Sequence, residues 1–138
     1  MATRPRVLEF EVSVDRDRTA RSGRGGSPFP REDEWTPEHL LLAALVLCTL
    51  TSFDHHVGRA GLSAHGSGTA RGIVTKRESD GRYAFVEIEA RCDVELDDPP
   101  SLEATKELVE RAERGCFVAN SLATQPVFRW TVNGRELR

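Results

Sequence analysis

The sequence has little of what would take a 138-residue chain out of the ordinary globular class. Its longest apolar run, Leu40 to Leu50 with Thr49 counted in, is about half of the ~20 residues that a membrane crossing needs. The N-terminal stretch MATRPRVLEFEV lacks the continuous apolar segment and small-residue cleavage site of an export signal, so a cytoplasmic protein with no membrane span is expected. Lysine occurs twice against 17 arginines, and the net charge is -3. A general phosphate-neutralising surface is therefore not expected, and nucleic acid is not an expected partner. The three cysteines are an odd number in a chain without an export signal. They point to a reducing compartment in which any disulfide is transient.

Several motifs are also missing. SGRGGS and HGSGT are glycine-rich but fit neither phosphate-loop pattern. Asp54-His55-His56 has triad residue types, yet no serine sits in a nucleophile elbow. Cys48, His55 and His56 share one face of a helix, but the rise between them, about 10 Å, is too long for one zinc ion. His39 and His65 are isolated. Neither a metal nor a resident cofactor is expected.

What is present suits a single domain, residues 1–138, that is 38% hydrophobic and 30% charged and buries roughly two thirds of its unfolded surface. Val7 to Val14 alternates, with Leu8, Phe10, Val12 and Val14 on one side, the pattern of a half-buried first strand in an antiparallel sheet. A turn, a short strand and an Arg/Gly/Pro-rich loop (19–35) follow. Thr36, Pro37 and Glu38 then make a helix start. The helix runs to about Arg59, and its apolar middle implies burial nearly all round. Asp80-Gly81 signals a hairpin between residues 62–77 and 83–96. In its second arm Ala84, Val86, Ile88, Ala90, Cys92, Val94 and Leu96 share one face. Ser101 caps a second helix with a stripe of Leu102, Thr105, Val109, Ala112 and Cys116, which Gly115 kinks or ends. The chain closes on the strand VFRWTV. The whole reads as an α+β domain, an antiparallel sheet packed with a long buried central helix and a second helix.

The residues that could carry chemistry are the thiols. Cys48 lies about 11 residues into its helix, beyond the reach of the terminal dipole, among Leu45, Val46, Leu47 and Leu50. Apolar surroundings raise a thiol pKa, so Cys48 is either a small buried hydrophobe or a nucleophile that imports a cation from outside its helix. Cys116 and Cys92 read locally as core residues.

Two stretches, WTPEHLLLAALVLC and RGCFVANSL, give the chain a wider meaning. The first resembles the Asn/Thr-Pro-Glu-x-Leu pattern of the OsmC/Ohr family, in which a reactive cysteine follows ten residues after the glutamate. The second is similar to that family's second cysteine motif, with Phe117 where proline is frequent. The resemblance implies an intertwined homodimer and a thiol peroxidase. Cys48 would attack an organic hydroperoxide, Cys116 would condense with the resulting sulfenic acid, and an external dithiol or lipoylated protein would act as thiol reductant. It further implies that Glu38 and an arginine support the thiolate. Arg16, in the turn SVDRDRTARSG, is the closest match by position, and Arg18 is nearly as good; solvated turn charges are the alternative for both.

Helix geometry adds a constraint. Glu38 and Cys48 are separated by about 15 Å along one helix and by roughly 80° around it, so they do not meet within one chain. Either Glu38 only complements the helix dipole, or it serves Cys48 of a second subunit. The leucine wall around Cys48 would prefer an alkyl hydroperoxide to hydrogen peroxide, with Phe53 and Phe117 as possible lining. The competing reading is a non-catalytic OsmC-like dimer that binds an apolar ligand or partner. A cysteine hydrolase is remote, because no histidine is placed as base for Cys48.

Overall fold

The computed structural model describes residues 4–137. They fall into two compact units, one ending at Pro37 and the other spanning Glu38–Arg138.

In the first unit β1 (Val12–Val14) pairs antiparallel with β2 (Ala20–Ser22). Asp15 organises the connecting turn. Its N–H donates to the Thr19 carbonyl and its carbonyl accepts from Arg18 N–H, while its carboxylate takes the Arg21 guanidinium at 2.8 Å. Arg18 stands in the left-handed region at φ 71°. The regular strand is thus only the last three residues of the expected Val7–Val14 segment, and its apolar side is not half-buried. Leu8, Phe10, Val12 and Val14 are exposed by 48%, 70%, 71% and 57%. A two-stranded ribbon has no third layer on which to bury such a face.

The second unit holds the core. A four-stranded sheet has the order β3-β4-β5-β6, with β3 at Ala64–Lys76, β4 at Tyr83–Leu96, β5 at Val127–Val132 and β6 at Arg135–Leu137. Helix α1 (Pro37–Arg59) precedes the sheet in the chain, and α2 (Leu102–Arg114) and the single turn α3 (Phe117–Asn120) connect β4 to β5. The sheet is mixed rather than wholly antiparallel, since β4 and β5 run parallel. A parallel pair needs a crossover of a dozen or more residues, and the α2–α3 segment supplies one.

Local chemistry explains most boundaries. Pro37 opens α1 with Glu38 in its first turn, where a missing N–H and a negative charge both suit the helix N-terminus. Ser101 caps α2 by accepting from Ala104 N–H at 3.2 Å. The β3–β4 hairpin closes around Asp80-Gly81, with Asp80 held by Arg77 at 2.6 Å. On β4 the expected alternation holds from Ile88 to Leu96. It fails at Val86, because the β3–β4 register shifts beside Ile73 and Val74; this bulge turns Phe85 toward the core and leaves Val86 37% exposed. Strand β6, absent from the sequence reading, follows a tight Asn133-Gly134 turn with both residues at positive φ (49° and 77°), the geometry that favours Asn-Gly in two-residue hairpin loops.

The main cluster joins Phe53 and Val57 of α1, Cys92, Val94 and Leu96 of β4, Leu108, Val109 and Ala112 of α2, and Trp130 and Val132 of β5. A second joins Leu45, Ile88, Ala90, Cys116 and Ala119. Leu102, expected on the buried stripe of α2, is 42% exposed, and Leu108 takes the inward position.

Helix α1 departs most from expectation. It is buried along one side only, at Leu45, Thr49, Ser52, Phe53 and Val57. In its most apolar 18-residue window just 22% of residues are buried, although the mean hydropathy of 1.6 would by length and composition suffice for a membrane crossing. Leu47 is 66% exposed.

One titrating contact in the core predicts a pH-dependent stability. Trp130 Nε1–H donates to Glu113 Oε2 at 2.9 Å. Burial raises the Glu113 pKa, opposed by that hydrogen bond. A raised folded-state pKa favours the fold below the ordinary glutamate value of 4.5, and the advantage is lost as pH rises through the folded value. Glu113→Gln keeps an acceptor for Trp130 without the buried charge. Its melting temperature should exceed that of the parent by roughly 1–3 °C at pH 7.5, with the difference vanishing at pH 4. An equal difference at both pH values would assign the effect to packing.

Candidate active site around two thiols

Cys48 and Cys116 come from distant parts of the chain and meet beneath α1. Cys48 is partly buried on α1 and packs against the cluster of Leu45, Ile88, Ala90, Cys116 and Ala119. Cys116 is fully buried, at 0% exposure, and forms the N-cap of α3 with an extended backbone. The two side chains are packed neighbours, near enough for Cys116 to act on the Cys48 pKa, and all three cysteines are free thiols.

Gly115 makes this approach possible. A Cβ there would stand 2.7 Å from Ser52 Oγ and 3.2 Å from the Arg111 carbonyl, so a larger residue would force Ser52, and the packing of the end of α2 on α1, to shift. The Gly115 N–H donates to Arg111 O at 2.9 Å as the helix ends. The chain then turns sharply enough to set Cys116 beside Thr49, whose Oγ1 lies 3.4 Å from Cys116 Sγ. Thr49 also donates its hydroxyl proton to the Leu45 carbonyl at 2.8 Å. Sequence reasoning did not single out Thr49. Its one signal was a hydroxyl inside an otherwise apolar run, next to the thiol.

Opposed influences act on the Cys48 thiol. Burial pushes its pKa up; the backbone N–H of Val118 pulls it down, the hydrogen bond and charge of Cys116 raise it, and the N–H of Phe117 lowers it again. The net direction is upward. The two N–H groups belong to the first turn of α3, where they have no partner within the helix, and they are aimed where a thiolate would gain from them. None of these principal influences is a cation. Cys92 differs in kind. It is 2% exposed in the main core, and burial, with smaller contributions from Glu113 and Cys116, pushes its pKa up to about 12.

The other expected site residues lie as follows. Glu38 is exposed in the first turn of α1, about 15 Å from Cys48 along the helix axis. Arg16 is exposed in the β1–β2 turn. Phe117 is 59% exposed at the start of α3, whereas Phe53 is 0% exposed and packs against Trp130 with ring centroids 5.2 Å apart. Phe53 is therefore core, and cannot line a substrate pocket. His56 packs over Gly115, its Nε2 3.4 Å from where a Cβ would be; burial, His55 and nearby arginines lower its pKa.

Solved structures share this fold. The fold recurs in an OsmC-like protein of unknown function from Vibrio cholerae O1 biovar eltor, 19% identical over 91% of this chain and 100% of that one, with a TM-score of 0.77. Two organic hydroperoxide resistance proteins also share it. That of Elizabethkingia anophelis is 18% identical over 92% of this chain and 96% of its own, with a TM-score of 0.66. That of Bacillus subtilis is 18% identical over 91% and 96%, with a TM-score of 0.56. No curated protein sequence matches the chain. The family model described as OsmC-like protein matches residues 30–131, a span that includes both thiols of the site and most of the fold; the chain belongs to the OsmC-like family.

Proposed function

We propose that this protein is a cytoplasmic thiol peroxidase that reduces organic hydroperoxides through Cys48 and Cys116. The observation that carries the reading is the pairing of a half-buried thiol with a fully buried one across two helices, with two backbone N–H groups turned toward the first. A structural cysteine pair needs no such donors. Family membership supports a peroxidase-like role at the level of the family, which includes proteins named for organic hydroperoxide resistance.

In the proposed reaction the Cys48 thiolate attacks the terminal peroxide oxygen. The O–O bond breaks, the alcohol leaves with a proton, and Cys48 becomes a sulfenic acid. Cys116 sulfur then attacks Cys48 sulfur, forming a disulfide and releasing water. A dithiol reductant, such as a lipoylated protein, returns both thiols by exchange. The chain needs no resident cofactor for these steps.

The thiolate requires help, since burial alone favours the protonated form of Cys48. We assign this role to Arg16, with Arg18 as the alternative, and to Glu38, acting in a homodimer. Glu38 is too far along α1 to serve the Cys48 of its own chain. The uncovered apolar face of α1, with Leu40 39% and Leu47 66% exposed, is the surface we assign to a second copy. Such a patch on a single chain is an interaction site more often than a free surface.

A second reading has the raised Cys48 pKa in its favour: a non-catalytic OsmC-like dimer that holds an apolar ligand or partner, with its thiols as packing. One titration separates the two. Reduced protein is mixed with one equivalent of tert-butyl hydroperoxide and its disulfides are mapped by mass spectrometry. Peroxidase chemistry yields a Cys48–Cys116 link with Cys92 still free, because a thiol with a pKa of about 12 is ionised only to the order of one part in ten thousand at pH 8. Peroxide left unconsumed with Cys48 still reduced would leave the binding dimer standing.

A further inference from the structure

We infer that Thr49 is the positioning residue for the second thiol: its hydroxyl oxygen holds the Cys116 S–H proton away from Cys48 and leaves the sulfur lone pair facing it. The inference rests on the peroxidase reading and concerns the condensation step alone.

A threonine hydroxyl carries one proton and two acceptor lone pairs. At Thr49 the proton is committed to the Leu45 carbonyl at 2.8 Å, a bond that already satisfies the buried hydroxyl within its own helix. The oxygen nevertheless lies 3.4 Å from Cys116 Sγ. With its only proton in use it can act there solely as acceptor, so Cys116 must be the donor. Both residues are 0% exposed, so bulk solvent does not reach the thiol proton. The order of donors is then fixed, from Cys116 S–H to Thr49 oxygen and from Thr49 O–H to the Leu45 carbonyl.

This order suits the condensation. Cys116 sulfur must present an electron pair to Cys48 sulfur as the S–O bond of the sulfenic acid breaks. A proton lying between the two sulfurs would block that approach. Thr49 takes up no proton itself. As the S–S bond forms the S–O bond breaks, and the hydroxide released from Cys48 takes the proton that bond formation has made acidic on Cys116 sulfur, giving water; until then Thr49 aims the S–H bond. A valine of the same shape would leave the Cys116 S–H without an acceptor, free to turn into the sulfur–sulfur line.

The test follows two rates in one experiment. Reduced protein is mixed with tert-butyl hydroperoxide and quenched over time. Sulfenic acid is trapped with a cyclic diketone, and disulfide is counted by mass spectrometry, for the parent, Thr49→Val and Thr49→Ser. In Thr49→Val, condensation should slow relative to Cys48 oxidation by about tenfold, the factor that one buried hydrogen bond commands, and the sulfenic form should accumulate. Thr49→Ser restores the acceptor and should keep the ratio within about threefold of the parent. An unchanged ratio in Thr49→Val, or a Thr49→Ser protein as slow as a destabilised valine variant, would overturn the assignment. If the parent itself forms neither sulfenic acid nor disulfide, the peroxidase reading fails first and takes this one with it.

Discussion

Cys48→Ser should consume no organic hydroperoxide, with turnover reduced by at least about a thousandfold, the scale on which loss of a nucleophile is felt. The exchange is small in shape, since one oxygen replaces one sulfur at a partly buried site. What changes is the atom. A hydroxyl in the environment that raises the Cys48 thiol pKa supplies no anion at neutral pH, and oxygen has no sulfenic state through which to pass the oxidation to Cys116. The fold should be unaffected to within about 1 kcal/mol, as for most substitutions that neither open a cavity nor strand a buried charge. Peroxide consumption is followed colorimetrically in the presence of a dithiol, alongside a thermal melt that confirms folding. Retained activity would move the chemistry to another thiol, and the low reactivity expected of Cys92 makes even that alternative demanding.

The effect is expected to be so complete because nothing else in the site can substitute. Cys116 is fully buried, out of direct reach of solvent-borne peroxide. The N–H groups of Val118 and Phe117 act on Cys48 but are not nucleophiles. In the proposed reaction a reachable sulfur and an enclosed one divide the labour, and the close packing of Gly115 on Ser52 at the end of α2 accompanies that difference.

Much of this could be read in the sequence where local chemistry decides structure. Pro37 and Glu38 fix the start of α1, Ser101 fixes that of α2, and the alternation from Ile88 to Leu96 identifies the central strand. The errors share one cause. Periodicity reports which residues lie on one face, but not whether anything covers it. Leu8 and Phe10 alternate as a buried strand would and are exposed; Leu47 belongs to an apolar helix and is exposed. Val86 was misassigned for a related reason, since a bulge beside Ile73 shifts the register without a local signature. The Asn133-Gly134 turn did carry a signal, and β6 was recoverable from it. The site was legible only in part. Cys48, Cys116 and Glu38 stand in recognisable motifs, whereas the Thr49–Cys116 contact spans 67 positions and exists only because Gly115 admits it.

Phe53→Ala should lower stability by about 3–5 kcal/mol, the usual cost of truncating a buried phenylalanine. Phe53 is 0% exposed and lies where α1 meets α2 and the sheet, its ring 5.2 Å from that of Trp130 and tilted by 40°. Its removal opens a cavity between α1 and β5 that cannot collapse freely, because Leu45 and Val57 anchor the same side of the helix at 0% and 1% exposure. Against a total of roughly 5–15 kcal/mol for a domain of this kind, the loss is a large fraction, and for about 138 residues it corresponds to a fall of roughly 10–20 °C in melting temperature. Thermal melts of parent and variant at one protein concentration give the value, and Trp130 reports the same site by its emission. A change below about 1 kcal/mol would mean that the ring is not the keystone of the α1–sheet contact. Thr49 lies about one turn before Phe53 on the buried side of α1, so a loosened helix would also relax the 3.4 Å contact to Cys116. The packing that holds the fold together is in this way the same packing that holds the two sulfurs in line.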